Sequence, residues 1–310
     1  MKLPKKVNIV DVGPRDGFQT EQAFIPTELK IRVIDAISQT GVRKIETTSF
    51  VSPKAVPQMA DAREVLQKIQ RTKGVRYTVL VPNTRGAELA LEEDIDGIRL
   101  VVCASETFNQ RNVRMSVDDS VRECEEIVEI ASRRSVPAEV AIGVAFACPF
   151  EGPTPEDRVS ELARTFARMG IREISIADTV GMANPTQVSR LMARLQEELA
   201  IGSDVELSLH IHNTRGLGFA NVLAGLQAGI DTYDASIGGL GGCPVTPAAT
   251  GNIPTEDLVN MCEEMNLETG IDIERVMEAS RLMEDFLGRR LPSHVLLSGT
   301  NQQSFERHSI

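Results

Sequence analysis

Residues 173–213 have the sequence EISIADTVGMANPTQVSRLMARLQEELAIGSDVELSLHIHN, whose pattern indicates the fold class of the chain. It begins and ends with short runs in which apolar residues alternate, a pattern typical of strands. Between these runs, apolar residues recur at i, i+3, i+4 and i+7, the period of an amphipathic helix. The helical positions are Val188, Leu191, Met192 and Leu195. The stretch therefore predicts a strand–helix–strand unit with parallel strands and a right-handed crossover.

The same alternation of strand and helix continues along most of the chain. Eight strand candidates within roughly 250 residues fit a closed (β/α)8 TIM barrel better than an open doubly wound sheet. No GxGxxG motif follows the first strand and the sequence has no P-loop lysine motif, so nucleotide binding has no support. The predicted strands cover residues 7–12, 44–49, 77–81, 98–103, 139–146, 173–177, 206–212 and 232–237.

The C-terminal part of the chain is predicted to add helices to this barrel. We assign residues 1–270 to a catalytic barrel and residues 271–310 to helices and a polar tail that pack on it, with one helix at 273–287. These helices would cap the barrel or reach a neighbouring subunit. No linker rich in proline, glycine or serine divides the chain. We also expect a homo-oligomer, either a dimer or a tetramer.

Composition argues against several classes of protein. The formal net charge of −11 disfavours a nucleic-acid-binding protein, which needs a basic surface. The sequence has no signal-peptide pattern and no apolar run of roughly 18 residues, so we predict a cytoplasmic protein without membrane association. A matrix-type compartment reached with a cleaved transit peptide stays an alternative. The five cysteines are widely spaced and form no CxxC pair, which argues against a disulfide framework or a structural zinc site.

Polar side chains follow several predicted strands, at the end of the barrel where active sites lie. Arg15 and Asp16 follow the first strand, Glu46 lies in the second, and Asp178 follows the sixth. The carboxyl ends of parallel strands share one rim of the barrel. We therefore expect these groups to converge although they are far apart in sequence.

His210 and His212 give the sharpest signal, because alternate residues of a strand point to the same side. A pair of hydrogen-bonded barrel histidines is the simpler interpretation. The alternative is a metal site in which Asp16 is the anionic ligand and Asn252 supplies a neutral oxygen. Two nitrogens and two oxygens, with positions left for water or substrate, suit Mg²⁺, Mn²⁺, Co²⁺ or Zn²⁺.

Arg15 and Cys243 are candidates for the chemistry at this rim. Arg15 could form a structural ion pair with Glu46 or Asp178, or it could neutralise an enolate oxygen as its charge develops. Cys243 lies in GGLGGCP (238–244), whose four glycines form either a simple turn or a mobile lid. On a lid, the Cys243 thiol could donate or accept a proton once closure excludes water.

At these residues the chain resembles the 3-hydroxy-3-methylglutaryl-CoA lyases, a family of metal-dependent TIM-barrel enzymes related to Claisen-type synthases. The resemblance extends from residue 10 to residue 259, and the ordered set of motifs is far more specific than any single one. The matching segments are VDVGPRDGFQTE (10–21), IETTSFVSPKAVPQM (45–59), ACPFEG (147–152), SIADTVG (175–181), LHIHN (209–213), GGLGGCP (238–244) and GNIPTEDLV (251–259).

The resemblance implies a role for each candidate residue. The divalent metal ion, with Mg²⁺ or Mn²⁺ favoured over Co²⁺ or Zn²⁺, would be bound by Asp16, His210, His212 and Asn252. Arg15 would hold the substrate carbonyl or enolate, and Cys243 would be the lid thiol. His210 would also take part in catalysis, and Glu46 and Asp178 would be support or acid–base residues.

The implied reaction is retro-Claisen cleavage of 3-hydroxy-3-methylglutaryl-CoA to acetyl-CoA and acetoacetate, a step of leucine catabolism. Phe150 stands where these lyases commonly carry tyrosine, and Asn213 stands where aspartate is usual. Citramalyl-CoA and 3-hydroxy-3-isohexenylglutaryl-CoA therefore stay open as substrates. A synthase that condenses acetyl-CoA with a 2-oxo acid is a further alternative, although such enzymes usually carry an extra C-terminal domain and a glutamate in place of Phe18. A non-catalytic binding barrel would be expected to lose some of the ligands.

Overall fold

The computed structural model describes residues 3–199, 204–242 and 251–308. Eight parallel strands close into a barrel in chain order, and the last strand pairs with the first. The predicted TIM barrel and its eight strands are therefore confirmed. The strands are β1 (Asn8–Asp11), β2 (Lys44–Ser49), β3 (Arg76–Leu80), β4 (Gly97–Cys103), β5 (Ala138–Gly143), β6 (Glu173–Asp178), β7 (Glu206–Ile211) and β8 (Thr232–Ala235).

Helices follow the strands and cover the outer face of the barrel, which is the usual arrangement in this architecture. The helical pattern predicted within residues 173–213 is confirmed by the helix at Pro185–Leu199. The helices are α1 (Thr27–Ser38), α2 (Ala62–Lys68), α3 (Thr84–Ala90), α4 (Glu106–Val113), α5 (Val117–Arg133), α6 (Glu156–Arg168), α7 (Pro185–Leu199), α8 (Gly218–Gln227), α9 (Thr255–Glu264), α10 (Ile273–Leu287), α11 (His294–Ser298) and α12 (Asn301–His308).

Charged side chains occupy the inside of this barrel, a place where branched apolar residues usually dominate. In β4, Ile98, Leu100 and Val102 face outward into the apolar core beneath the helices, whereas Arg99 faces inward. Glu139 faces inward from β5, next to Arg99 in the strand register. A charge that is kept from water needs a partner. The inward positions therefore have to form ion pairs with one another.

A first group of such pairs lies near the amino ends of the strands. The Lys44 ammonium donates to Glu139 and, at 2.7 Å, to Glu173, and Arg76 also donates to Glu173 at 2.8 Å. Burial alone would raise the pKa of Glu173, but Lys44 and Arg76 outweigh it and lower that pKa to about 2. Lys44 and Arg76 lie on β2 and β3, whereas Glu139 and Glu173 lie on β5 and β6, so these ion pairs connect strands that are not adjacent in the barrel.

Two strands end two or three residues earlier than the sequence indicates. The predicted fifth strand runs to residue 146, but β5 ends at Gly143 because Val144 has a left-handed backbone with φ of 47°. The predicted eighth strand runs to residue 237, but β8 ends at Ala235 and a short 3-10 turn follows at Ile237–Gly239. Both differences lie at the rim, where the chain turns to form loops.

The C-terminal helix α10 has the predicted bounds, and the short helices α11 and α12 follow it. The Asp257 carboxylate of α9 accepts hydrogen bonds from the Ser293 hydroxyl at 2.7 Å and from the Val295 amide at 2.8 Å. These bonds fasten α11 to the last barrel helix. The division of the chain at residue 270 stays a prediction. None of the described helices combines the length and the apolar character needed to cross a membrane.

Four of the five cysteines fall within the described residues, and all four are buried without a disulfide bond between them. Burial raises the pKa of Cys124 and of Cys262 to about 12. These two thiols therefore stay protonated near neutral pH, as expected of small buried side chains.

Candidate active site

A cavity of about 440 Å³ opens at the carboxyl ends of the strands. Its polar side includes residues from β7 and from the turn between β1 and α1, among them Arg15, Asp16 and His210. Its opposite side is apolar and includes Val56 from the loop after β2 and Phe108 from α4. The cavity lies where barrels of this type bind their ligands.

A tight turn after β1 brings Arg15 and Asp16 to the cavity. Gly13–Gly17 form one π-helical turn, in which the carbonyl oxygen of Val12 accepts hydrogen bonds from the amides of Arg15 at 3.2 Å and Asp16 at 2.7 Å. Such turns are rare and occur frequently at functional sites. A Cβ atom at Gly17 would lie 2.9 Å from Leu240 Cβ, so only glycine lets the turn approach the loop after β8 this closely.

The two histidines converge on Asp16, as the sequence predicts. His210 is in β7 and His212 directly follows it, and their Nε2 atoms are 3.0 Å apart. The distance from His212 Nε2 to Asp16 Oδ2 is 3.8 Å. One ligand atom of each of the three residues lies within 4.8 Å of the others, and all three side chains are buried.

Asn252 completes this group from the other side. The segment 251–253 runs beside the end of β7, where Asn252 forms an isolated bridge with His212. The Asn252 amide donates to Asp16 Oδ2 at 2.7 Å and to the Leu240 carbonyl at 3.1 Å. Its other polar atom, Oδ1, is buried and has no hydrogen-bond partner among the described residues. An unpaired buried oxygen is costly unless a ligand satisfies it.

These four side chains fit a divalent cation. They offer two imidazole nitrogens, one carboxylate oxygen and one amide oxygen, which is a mixed donor set suited to Mg²⁺, Mn²⁺ or Zn²⁺. Burial would raise the pKa of Asp16, but Arg15 and the two histidines outweigh it and lower that pKa below its ordinary value. Asp16 is therefore an anion at neutral pH, and a cation would satisfy both its charge and the Oδ1 atom of Asn252.

Arg15 makes the structural ion pair with Glu46 that the sequence suggests. Its Nε donates to the Glu46 carboxylate, its Nη1 donates to Asp16 Oδ1 at 2.7 Å, and the side chain lines the cavity. The Arg15 guanidinium thus donates to the carboxylates of Glu46 and Asp16 and also lines the cavity. The structural role and the proposed role toward substrate are compatible, since a guanidinium has five N–H donors.

Asp178 is placed differently from the other candidates. Its Oδ1 accepts hydrogen bonds from the Met182 amide at 2.7 Å and the Ala183 amide at 3.1 Å, so it shapes the turn after β6. Burial raises the pKa of Asp178 to about 6, and its Oδ2 has no partner among the described residues. It is not part of the cluster formed by Asp16 and the histidines. Cys243 lies outside the described residues, and Gly242 beside it lines the cavity.

Two site residues were missed at the sequence level, Asp234 and Arg99. Asp234 Oδ2 lies 3.2 Å from His210 Nδ1, and Arg99 donates to Asp234 Oδ2 at 2.7 Å. Burial would raise the pKa of Asp234, but Arg99 and His210 hold it well below its ordinary value. A sequence signal did exist, since a single charged residue interrupts the apolar runs GIRLVVC (97–103) and TYDA (232–235) at an inward position.

The two departures from the lyase pattern lie away from the donor atoms of the candidate metal ligands. Phe150 is 37% exposed, and its ring is covered by the Arg111 guanidinium at 4.0 Å. It is not among the described residues that line the cavity. Asn213 Oδ1 accepts from the Gly218 amide at 3.0 Å, a bond that an amide oxygen makes as well as a carboxylate does. Neither residue alters the cluster.

Known proteins with similar sequences are lyases. The chain is 39% identical over 293 residues to the mitochondrial hydroxymethylglutaryl-CoA lyase of Gallus gallus, covering 94% of this chain and 97% of that protein. It is 42% identical over 296 residues to hydroxymethylglutaryl-CoA lyase YngG of Bacillus subtilis, covering 96% and 98%.

Solved structures show the same similarity. An HMG-CoA lyase from Acinetobacter baumannii, in complex with coenzyme A and 3-methylmalate, matches with a TM-score of 0.91 at 42% identity and covers 96% of both chains. The hydroxymethylglutaryl-CoA lyase of Pseudomonas aeruginosa matches with a TM-score of 0.92 at 37% identity, covering 96% and 98%. A family model described as HMGL-like matches residues 6–283. Because that model spans all eight strands and the relatives align over nearly their whole length, the chain belongs to the HMGL-like family.

Proposed function

We propose that this protein is a divalent-metal-dependent lyase that cleaves 3-hydroxy-3-methylglutaryl-CoA to acetyl-CoA and acetoacetate. The observation that carries the proposal is the convergence of Asp16, His210 and His212 in one cavity, with Asn252 hydrogen-bonded to Asp16. The relatives of the chain are named for this reaction. A divalent cation bound there, Mg²⁺ or Mn²⁺ in our proposal, would lower the pKa of the substrate's C3 hydroxyl and fix its geometry.

The side chains of this protein would then remove a proton, stabilise a developing charge and return a proton. The C3 hydroxyl loses its proton to a base, the C2–C3 bond breaks, and the electron pair passes to C2 to give the enolate of acetyl-CoA. Arg15 would stabilise that developing negative charge, because its guanidinium already faces the cavity. Cys243 would donate the proton that C2 takes up. The ketone left at C3 is acetoacetate.

Glu46 and Asp178 would have different parts in this scheme. Glu46 accepts hydrogen bonds from both Arg15 and Arg99, so it is a support residue that holds Arg15 in place. Asp178 has one oxygen without a partner among the described residues and a pKa raised by burial to about 6. We propose Asp178 as the better acid–base candidate of the two.

A related acyl-CoA with a larger C3 substituent is a second candidate substrate. The inward positions of β5 and β6 that line the cavity are small, namely Ala141, Gly143 and Ala177. This side of the cavity could accept more than a methyl group.

We also propose, from the sequence, that the protein is cytoplasmic and forms a homo-oligomer. Light scattering on the purified protein would test the oligomeric state.

A thioester panel tests the proposed function. Purified protein is assayed with 3-hydroxy-3-methylglutaryl-CoA, 3-hydroxy-3-isohexenylglutaryl-CoA and citramalyl-CoA, before and after EDTA treatment and with Mn²⁺ added back. We expect cleavage of the first substrate that EDTA abolishes and Mn²⁺ restores. Preference for a longer thioester would move the substrate assignment to the second candidate. No cleavage of any member with Mn²⁺ present would contradict lyase activity.

A further inference from the structure

A chain of buried charges connects the two ends of the candidate active site through the inside of the barrel. It runs from Arg15 to Glu46, then to Arg99, Asp234 and His210. Arg99 Nη1 donates to Glu46 Oε2 at 3.0 Å and to Asp234 Oδ2 at 2.7 Å, and Asp234 Oδ2 lies 3.2 Å from His210 Nδ1. The side chains of all five residues in this series are at least nine-tenths buried.

The contact between Asp234 and His210 determines which ring nitrogen carries the proton. An ionised carboxylate can only accept, so the neutral imidazole of His210 must carry its hydrogen on Nδ1. Its Nε2 then has a lone pair, and this atom is the one that faces His212 at 3.0 Å. Asp234 and His210 are partners in the register of β7 and β8, so the paired strands hold this geometry.

Arg99 fixes Asp234 in turn. It binds that carboxylate with both terminal nitrogens, Nη1 at 2.7 Å and Nη2 at 3.2 Å, which determines the plane of the carboxylate. Arg99 also donates through Nε to Glu139 at 2.8 Å. The Arg99 guanidinium therefore orients two carboxylates, Asp234 behind His210 and Glu46 behind Arg15.

From this geometry we propose that Asp234, oriented by Arg99, is a positioning residue that holds His210 in the tautomer able to bind a divalent cation through Nε2. The inference rests on the metal site of the proposed function. Partners behind a metal-binding histidine fix its tautomer and orientation, and their loss typically reduces metal affinity by about 10- to 100-fold. The alternative is that Asp234 and Arg99 only neutralise buried charge. The two roles predict different effects of mutation on metal affinity.

Asp234→Asn is the informative variant. Oδ2 faces both Arg99 Nη1 and His210 Nδ1, and Oδ1 accepts from Arg99 Nη2. If the amide oxygen takes the place of Oδ2, His210 faces a neutral acceptor, which holds the Nδ1 proton less strongly than a carboxylate does. If the NH₂ group takes that place, it donates to Nδ1, and the proton of His210 moves to Nε2, the position needed by the cation. The same exchange of tautomer explains the loss of activity when the aspartate of a serine protease triad becomes asparagine.

Glu139→Gln is the matched control. Glu139 also accepts a hydrogen bond from Arg99, but it lies on β5, away from His210 in the barrel order. Its other partner, Lys44, keeps Glu173 at 2.7 Å when the Glu139 charge is removed. Both variants thus take one carboxylate from Arg99, and only Asp234→Asn changes the group behind His210.

Mn²⁺ affinity is measured by electron paramagnetic resonance of the free ion, with kcat determined at saturating Mn²⁺. For Asp234→Asn we expect affinity to fall by about 10- to 100-fold, and for Glu139→Gln by less than about 3-fold. Equal affinity in Asp234→Asn and wild type would overturn the proposal, as would equal losses in the two variants.

The nitrogen shifts of His210 in metal-free wild-type protein at pH 8 give a second test, which does not depend on any variant folding. We expect a proton on Nδ1 and a bare Nε2. A proton on Nε2 would overturn the role of Asp234 whatever the catalytic results. Conversely, wild-type protein with the expected tautomer and no affinity for Mn²⁺ would contradict the proposed function and not the orientation of His210.

Discussion

Arg15 lies between two carboxylates and the cavity, and this position allows its roles to be separated by mutation. We expect Arg15→Met to lower kcat by about 10²- to 10³-fold, because a donor aimed at developing charge is lost. Mn²⁺ affinity should stay or increase, since a cation next to the site is removed. Steady-state kinetics and metal titration check this, with Arg32→Met on the exposed face of α1 as the control. Parallel losses of affinity and kcat would instead mean that Arg15 mainly holds Asp16.

Cys243 is the candidate for which the sequence is the whole basis. We expect Cys243→Ala to reduce turnover strongly while Mn²⁺ affinity is retained, because the thiol is proposed to move a proton and not to bind the cation. Single-turnover kinetics and metal titration measure the two quantities. Loss of both would point to a structural role of the segment, and retention of both would remove Cys243 from the mechanism.

The sequence alone brought together the proposed cation ligands but missed the groups behind them. His210 and His212 are two residues apart on one strand, so periodicity alone places them together. Arg99 and Asp234 belong to strands on opposite sides of the barrel order. Their contact depends on closure and register, which a pattern within one strand does not contain. Val144 is a similar case, because its left-handed backbone ends β5 although a β-branched residue favours a strand.

The glycine loop after β8 packs closely against Asn252, one of the proposed cation ligands. Gly241 has φ of 131°, and a Cβ atom there would lie 2.6 Å from Asn252 Nδ2. We expect Gly241→Ala to displace Asn252 and to weaken Mn²⁺ affinity by about 10-fold. Gly74→Ala is the control, since Gly74 also has positive φ, at 90°, with nothing within 4 Å. Both variants should lose about 1 kcal/mol of unfolding free energy. If their Mn²⁺ affinities are equal, crowding against Asn252 is not important.

Helix α9 contains a buried acid that should make stability depend on pH. Both Glu256 carboxylate oxygens accept from the Gly238 amide, at 3.1 and 3.0 Å, and burial raises the pKa of Glu256 to about 7. The folded state then binds more protons than the unfolded state between pH 4.5 and 7, so this group's contribution to unfolding free energy falls as pH rises through that window.

Glu256→Gln should remove that dependence. A glutamine oxygen can still accept from Gly238, so we expect the variant to gain roughly 3 kcal/mol relative to wild type between pH 4.5 and pH 8. Urea unfolding across this range measures the difference, and the exposed Glu88→Gln serves as the control. Parallel pH profiles for wild type and Glu256→Gln would show that the acid is not held protonated.

For the whole molecule, cation binding should appear as thermal stability. A ligand that binds only the folded state adds about 2.7 kcal/mol at 100 times its Kd, which corresponds to several degrees in Tm for a chain of this size. We expect Mn²⁺ to raise Tm, EDTA to reverse the effect, and His210→Ala to abolish it. An unchanged Tm in wild type over a wide range of Mn²⁺ concentration would be inconsistent with a cation site in the barrel.

The charged interior also constrains how the barrel can be assembled. A barrel filled with interchangeable aliphatic side chains could slip by two residues along a strand and still present the same faces. Here such a slip would separate Arg99 from Glu46, Glu139 and Asp234 at once, leaving several like or lone charges away from water. We therefore expect these positions to drift only in concert during evolution, each acid changing together with the base it matches.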